Sequence, residues 1–314
     1  MSFSEKLLLL FFSAVALILV VESHRKTPLK EEENELERLL KYINKPAIKS
    51  FQTEHGDILD CIDIQKQLAF DHPLLKNHSI QFAVGEYKYY HYGAKGNLNL
   101  WEPEVSPTQF SSASMLIAGG SNEQFQAIRA GWIVYQWLTK NQSRLFTYWT
   151  ADGFTKTGCY NTLCPGFVQV STKLPLGLLL QPVSRYGGQQ YEVNVSIYQD
   201  QIVGDWWLVV LGEQVGLDHG ASMASWGGEV YSPVKEKSPS MGSGHFPKEG
   251  FVQSAYVNGI EVVDDFGGTS SRPEIFTITP YSSTPNCYKA IKKPGSSEIW
   301  YDAIFYGGPG GCVF

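Results

Sequence analysis

The sequence predicts an all-β fold, a sandwich or barrel of antiparallel strands, for most of the chain. From about residue 80 onward, apolar and polar residues alternate with a period of two in short runs rich in β-branched and aromatic residues. Clusters of Gly, Pro, Asn and Asp separate these runs, as the turns between many short strands require. No convincing helical periodicity competes with this pattern.

The predicted strands follow one another at short intervals. They cover residues 80–84, 87–92, 128–136, 144–150, 166–171, 191–198, 205–212, 226–232, 251–258, 260–264 and 299–306. The segment YQDQIVGDWW, residues 198–207, predicts a hairpin, because a loop ending in Gly204-Asp205 joins two of these runs.

The first residues predict a secretory signal peptide. One lysine precedes an apolar run from Leu7 to Val21, and a polar stretch follows, which is the organisation of such a signal. The run of about 15 residues is short for a membrane span, and a signal anchor is the alternative. We therefore expect residues 1–23 to be removed and the protein to be secreted, with no membrane partner after signal cleavage.

Residues 24–80 are interpreted as a separate N-terminal segment. The stretch LKEEENELERLLKYIN, residues 29–44, carries leucines at helical spacing and acids in its first turns, so an amphipathic helix is expected there. The remaining residues, 81–314, are long enough for one large β domain.

The net charge of the chain is −6. This mild negative charge argues against nucleic acid and against an anionic membrane surface as partners.

The five cysteines predict two structural disulfides in a secreted protein. Cys159 and Cys164 are close enough to close a small loop, and Cys287 and Cys312 would tie the last segment to the body. Cys61 is left over, which leaves a free thiol, an intermolecular bond and a lost partner open. Metal binding is the weaker alternative for these cysteines, because no CxxC or HxxxH spacing occurs. No metal site and no cofactor are expected.

Three sequons fit secretion and predict glycosylation. They begin at Asn77, Asn141 and Asn194.

Glu229 is the candidate catalytic residue. It lies in SWGGEVYS, residues 225–232, between glycines and aromatic residues in a chain with 18% charged residues. Strand alternation predicts that Glu229 shares a face with Gly227 and Tyr231, while Trp226 and Val230 point the other way. The glycines would let a substrate backbone approach closely. A buried structural acid held by hydrogen bonds is the alternative.

Other catalytic centres find less support. Gly242-Ser243-Gly244-His245 is the nearest approach to a serine-hydrolase motif, and we interpret it as a Gly-rich turn because no helix follows it. No phosphate-binding glycine loop of the P-loop or Rossmann type occurs. Hydrolysis by a pair of carboxyl groups, one protonated as general acid and one activating water, therefore remains the mechanism to consider.

Six stretches of the sequence have a specific and unusual composition: YGAKGNLNLWEPEV (92–105), AIRAGW (127–132), RLFTYWTADGFTKTGCYNTLCPGFVQV (144–170), WGGEV (226–230), MGSGHFPKEGF (241–251) and FYGGPGGC (305–312). These stretches resemble the neprosin-like proteins of plants. The stretch ILDCIDIQKQLAFDHPLLKNHSIQ, residues 58–81, resembles the activation peptide of that family.

The resemblance implies a secreted zymogen, with an activation-peptide-like segment at 24–80 and a catalytic-type domain at 81–314. The domain would be an antiparallel β-sandwich of two large sheets, lectin-like in outline. The implied activity is that of a glutamic endopeptidase that cuts after proline at acid pH by means of two glutamates on one sheet. Its partners would be proline-containing peptides or proteins.

This chain departs from the family pattern at one of the two glutamates. Glu229 matches the glutamate of the WGGEV motif. The second glutamate belongs to a stretch reading I-E-A-G-W, which here reads Ile128-Arg129-Ala130-Gly131-Trp132. The resemblance therefore predicts that Arg129 takes the place of the second acid and forms an ion pair with Glu229. A guanidinium does not supply the missing proton, so impaired catalysis is expected and Arg129→Glu is expected to restore activity.

A second departure concerns the N-terminal segment. The chain runs from HSIQ almost directly to YGAKG, where family members have a longer segment that includes a cysteine. The absence of that cysteine would leave Cys61 without a partner.

Three hypotheses for function follow. The first is an active acid peptidase that uses Glu229 with a substitute carboxylate such as Glu123. The second is a non-catalytic protein that binds peptide or cell-wall glycan, since aromatic rings suit stacking on proline or sugar. The candidate binding residues are Trp132, Tyr148 and Tyr231, with Trp149 as a further aromatic; core packing is the alternative for each. The third is an unstable product.

Overall fold

The computed structural model describes residues 47–52, 58–62, 78–120, 125–153, 158–163, 167–171, 173–200, 202, 204–218, 222–263, 269–295 and 302–314. The chain divides into two compact units, Met1–Asn77 and His78–Phe314. None of the helices in the described ranges is long and apolar enough to cross a bilayer. The predicted signal peptide and the predicted helix over 29–44 lie outside the described residues.

In the first unit, the described residues form one antiparallel pair of strands. Strand β1 (Ala47–Gln52) pairs with β2 (Ile58–Ile62).

In the second unit, one sheet has seven strands. Its strand order is β15-β3-β12-β5-β6-β7-β8. The strands are β3 (His78–Tyr87), β5 (Phe110–Gly119), β6 (Gln126–Tyr135), β7 (Arg144–Thr150), β8 (Cys159–Tyr160), β12 (Met223–Pro233) and β15 (Thr279–Ser282).

The other sheet of this unit has eight strands. Seven of them follow the order β11-β10-β9-β4-β13-β17-β16, and β14 pairs with β13. The strands are β4 (Gly93–Asn99), β9 (Glu192–Gln199), β10 (Asp205–Val210), β11 (Glu213–Asp218), β13 (Ala255–Val263), β14 (Ser270–Ser271), β16 (Lys289–Lys293) and β17 (Ala303–Gly307).

Helical structure in the described residues is limited to single turns. They are α1 (Gln136–Thr139) and two 3-10 turns, Pro247–Glu249 and Ile275–Thr277.

The two sheets pack face to face around one hydrophobic core. Trp132 and Trp226 enter it from the seven-stranded sheet, and Trp206 and Val195 enter it from the eight-stranded sheet; all four are fully buried. Every pairing between named strands is antiparallel among the described residues. The predicted antiparallel β-sandwich of two large sheets is confirmed.

The hairpin predicted in YQDQIVGDWW is confirmed, since β9 and β10 are adjacent and antiparallel. Three strand predictions need correction. Residues 88–92 of the run 87–92 are not a regular strand, because the chain leaves the seven-stranded sheet after β3 and enters the other sheet at β4. The described residues 167–171 lie outside the strands. Residues 255–258 and 260–263 of the two runs 251–258 and 260–264 belong to the single strand β13, and residues 251–254 precede it.

The predicted disulfide between Cys287 and Cys312 is confirmed. Cys159 is also disulfide-bonded, and its predicted partner Cys164 lies outside the described residues. Strand β2 contains Cys61.

A buried histidine lies in the connection from β3 to β4. Nδ1 of His91 donates to the carbonyl of Tyr89 at 2.9 Å, and Nε2 has no hydrogen-bond partner among the described residues. The imidazole is 1% exposed and meets the Tyr87 ring edge-on. Burial lowers the pKa of His91 below its ordinary value of 6.5.

We expect His91 to make the fold less stable in acid. Because the folded-state pKa is the lower one, the unfolded chain takes up a proton at a higher pH than the folded chain. The contribution of neutral His91 to the free energy of unfolding is therefore complete above about pH 6.5, and it is lost as the pH falls below that value. We would measure the free energy of unfolding in urea at a series of pH values. Below about pH 6.5 it should fall less steeply for His91→Asn than for the wild type. His245→Gln, at a half-exposed histidine, is the control. An equally steep fall in His91→Asn and the wild type would contradict this assignment.

Candidate active site

Glu229 lies in the middle of β12, a central strand of the seven-stranded sheet. Its neighbours across the strands are Phe82 on β3 and Ser112 on β5. Trp226 and Val230, on the opposite face of β12, are fully buried in the core between the sheets. The predicted alternation is therefore confirmed, and the Glu229 side chain lies on the sheet face that points away from this core.

Arg129 lies on β6, two strands away from Glu229 on the same face. It stands opposite Tyr148 on β7 and Leu116 on β5. Its Nη1 atom forms an ion pair with Oε2 of Glu229, and the side chains are only 17% (Arg129) and 9% (Glu229) exposed. The predicted ion pair is confirmed, and its burial distinguishes it from a solvent-screened surface pair.

Small residues separate the two charged side chains. Gly131, Ser114 and Gly227 stand opposite one another in a row that lies between the row of Arg129 and the row of Glu229. No large side chain in this row obstructs the path of Arg129 toward Glu229.

The two glycines of this row also have a structural role. A Cβ at Gly131 would collide with the backbone oxygen of Ala113, and a Cβ at Gly227 would collide with that of Ala83. Each glycine therefore permits the close approach of a neighbouring strand. This packing role explains why glycine stands at both positions without invoking the approach of a substrate backbone.

The guanidinium of Arg129 is a cation at neutral pH. Burial lowers its pKa to about 10, and Tyr160 and Tyr148 act in the opposite direction. A pKa of about 10 leaves the group charged at pH 7, and the contact with Glu229 favours the charged form further. The cation also lies over the ring of Phe82, with Cζ 5.8 Å from the ring centroid, an attractive arrangement.

No second carboxylate lies next to Glu229 on the described strands of this face. The nearest acid along these strands is Glu86 on β3, which pairs with Lys88 at 2.8 Å. Phe82 on β3 stands opposite Glu229. Glu86 lies four residues farther along β3, a distance of about 13 Å. Glu123, the substitute suggested by the sequence, lies outside the described residues. Within the described part of the chain, no cluster of three or more His, Cys, Asp or Glu side chains could hold a metal ion.

Aromatic rings line the same face and form a continuous array. Phe110 stacks on Tyr231 with centroids 5.3 Å apart, and Tyr135 follows at 5.7 Å from Phe110. The array continues through Trp137 to Tyr160. At its far end, Tyr160 contacts Tyr148 and Phe146. We call these seven rings the aromatic array.

The predicted binding residues differ in their positions. Tyr148 and Tyr231 are half-buried members of the aromatic array. The prediction for Trp132 is wrong, because its side chain is 0% exposed and its Nε1 donates to the carbonyl of Asn99 in the core. Trp149 is likewise buried in the core.

Burial keeps the phenols of the array protonated. It is the largest cause that raises the pKa of Tyr135, Tyr148, Tyr160 and Tyr231 above 10.0. These hydroxyls can therefore act as neutral hydrogen-bond donors over the whole physiological pH range.

Two of the three predicted sequons begin in described residues. Asn141 is exposed in the turn after α1. Asn194 lies within β9, and its Nδ2 donates to Oδ1 of Asn97 at 2.8 Å. Asn77 lies outside the described residues.

Sequence reasoning missed six aromatic residues of this face: Phe82, Phe110, Tyr135, Trp137, Phe146 and Tyr160. Alternation along β3 and β6 could have assigned Phe82 and Tyr135 to the face. Trp137 and Tyr160 join it through a helical turn and a two-residue strand, for which the sequence gives no periodic signal.

Comparison with known families gives two matches in the chain. The family model described as Neprosin matches residues 107–309, and the model described as Neprosin activation peptide matches residues 50–109.

Three solved structures are similar in outline. Scytalido-glutamic peptidase with a transition state analog inhibitor is 8% identical, with a TM-score of 0.40 over 73% of this chain and 98% of that chain. SCP-B, a member of the Eqolisin family of peptidases in complex with a tripeptide, is 10% identical, with a TM-score of 0.35 over 74% and 97%. CG-16, a homodimeric agglutinin from chicken liver, is 9% identical, with a TM-score of 0.24 over 49% and 99%.

Proposed function

Because this chain belongs to the neprosin family, we propose that it is a member that has exchanged peptide hydrolysis for binding. It uses the Glu229 face of the seven-stranded sheet to hold a peptide or glycan ligand. The observation that carries the proposal is the buried ion pair between Arg129 and Glu229.

A carboxyl-pair peptidase needs two acids in different protonation states. One carboxylate activates water, and the other group protonates the leaving nitrogen. Arg129 takes the place of the second acid, and its guanidinium does not give up a proton at the pH of acid hydrolysis. The same cation favours the ionised form of Glu229, which prevents Glu229 from acting as the proton donor.

The ion pair also occupies part of the carboxylate that hydrolysis would need. Oε2 of Glu229 accepts from Arg129, so at least one of the hydrogen-bonding positions of the carboxylate is already taken. The next acid on the described part of this face, Glu86, is itself paired with Lys88. No carboxyl group on these described strands is therefore available to act as the general acid.

The test is cleavage of a quenched proline-containing peptide by the secreted protein, from about pH 2 to about pH 7. We expect the wild type to match the background rate and to match Glu229→Gln, which removes the carboxylate and keeps the shape. Cleavage by the wild type that disappears in Glu229→Gln would overturn the proposal and would identify an active peptidase with a substitute acid.

We further propose that the protein is secreted and loses residues 1–23. Any later cut that removes the N-terminal segment would fall before His78, because β3 is paired with β12 from His78 onward and with β15 on its other side. The activation-peptide match extends to residue 109 and therefore includes β3 and β4. This part of the match would remain in the mature protein. N-terminal sequencing of protein from the culture medium tests both points, and a mature N-terminus beyond β3 would contradict them.

A further inference from the structure

We propose that the rings of Tyr135, Trp137 and Tyr160 form a stacking platform for a soluble, neutral glycan chain. This inference rests on the proposed binding function and names its ligand class. We call these three rings the Trp137 platform.

Trp137 is an unusual surface residue in this protein. It lies in α1, directly after β6, and 65% of it is exposed. Its ring contacts Tyr135 at 5.8 Å and Tyr160 at 6.5 Å. A single exposed apolar residue needs no explanation, but an exposed tryptophan that continues an aromatic array adds apolar surface where a ligand can cover it.

The platform is continuous with the candidate site. Tyr135 contacts Phe110, which stacks on Tyr231. Phe110 and Tyr231 stand opposite each other on β5 and β12, one row from Glu229. A chain that stacks on Trp137 can therefore extend along the array toward the Arg129–Glu229 pair.

The charged groups on this face of the sheet are already engaged, which favours an uncharged ligand. Arg129 and Glu229 neutralise each other. Arg144, which lies on the same sheet face, already donates to the carbonyl of Gly177 at 2.9 Å and to Oε1 of Gln142 at 2.8 Å. Desolvating these engaged groups for a charged partner would cost free energy without a new ion pair to offset it.

A hydroxyl beside the rings suits a sugar. Burial raises the pKa of Tyr135, so its phenol remains an O–H donor next to an apolar ring surface. A pyranose presents apolar C–H groups on its faces and hydroxyls at its edges, which matches rings flanked by a phenolic O–H group.

The ring orientations favour a single flexible chain over a flat crystalline surface. The Trp137 ring is tilted by 50° from Tyr135 and by 60° from Tyr160. Rings so inclined cannot all lie flat on one plane, whereas successive sugars of a soluble chain can turn to meet them in sequence.

Affinity electrophoresis tests the inference with the full-length secreted protein. The gels contain hydroxyethyl cellulose, xyloglucan or arabinoxylan as neutral glycans, or polygalacturonate as an anionic one. We expect retention on at least one neutral glycan and at least a tenfold weaker interaction for Trp137→Ala. Trp137→Phe keeps a ring and should retain most of the binding. Phe276→Ala removes a ring that is 69% exposed elsewhere on the surface and should bind like the wild type.

Three results would overturn the inference: no retention on any neutral glycan, equal retention of the wild type and Trp137→Ala, or preferred binding of polygalacturonate or of a decaproline peptide. Each of these is independent of the cleavage assay. Hydrolysis by the wild type would refute the proposed loss of catalysis, whereas loss of glycan retention alone would refute the ligand class.

Discussion

Replacing Arg129 with alanine is expected to lower the free energy of unfolding by about 3–5 kcal/mol at neutral pH. The variant would leave the Glu229 carboxylate almost fully buried without its cationic partner. An unpaired buried charge loses its hydration without compensation, and this desolvation is the main cost. Chemical unfolding at pH 7 measures the loss directly.

The pH dependence and a double variant separate this cause from simple loss of packing. The deficit of Arg129→Ala should shrink in acid, because protonation removes the charge that lacks a partner. In the double variant Arg129→Ala/Glu229→Gln, the neutral amide should recover part of the deficit. A loss below about 1 kcal/mol would instead identify a solvent-screened pair.

Replacing Arg129 with glutamate is expected to create peptide hydrolysis at acid pH. The variant places a second carboxyl group on the same sheet face as Glu229. One carboxyl group that donates a proton and a second that activates water are the pair on which this type of hydrolysis depends. General acid–base catalysis contributes about 100-fold or more, so a gain of that order in the cleavage rate of a proline-containing peptide is expected.

The matched control for this gain is Arg129→Gln. Glutamine has the length of glutamate but no acid, so it removes the ion pair without adding a proton donor. Activity that appears in Arg129→Glu, is absent in Arg129→Gln and disappears in Arg129→Glu/Glu229→Gln would identify residue 129 as the second acid position. A folded Arg129→Glu variant with the rate of Arg129→Gln would refute that assignment.

Local sequence was sufficient where a single strand decides the outcome. The alternation around Glu229 assigned its side chain to one face and Trp226 and Val230 to the other, as observed. The hairpin of β9 and β10 also followed from the residues of its loop. In these cases the period of two and the turn chemistry act on neighbouring residues, so no distant partner is needed.

One error could have been avoided from the sequence. Arg129 and Trp132 are three positions apart on β6, and residues an odd number apart point to opposite faces of a strand. An arginine beside Glu229 therefore excludes Trp132 from the same site. The buried indole of Trp132 confirms this exclusion.

The tertiary structure alone decided the composition of the site. Strand β5, FSSASMLIAG, was not predicted, because its small residues have weak strand preference, and pairing with β6 and β12 on its two sides defines it. The aromatic array joins residues from β5, α1 and β8 that are far apart in sequence. The sequence determined the residue types and faces, whereas register and packing between distant strands determined which side chains meet.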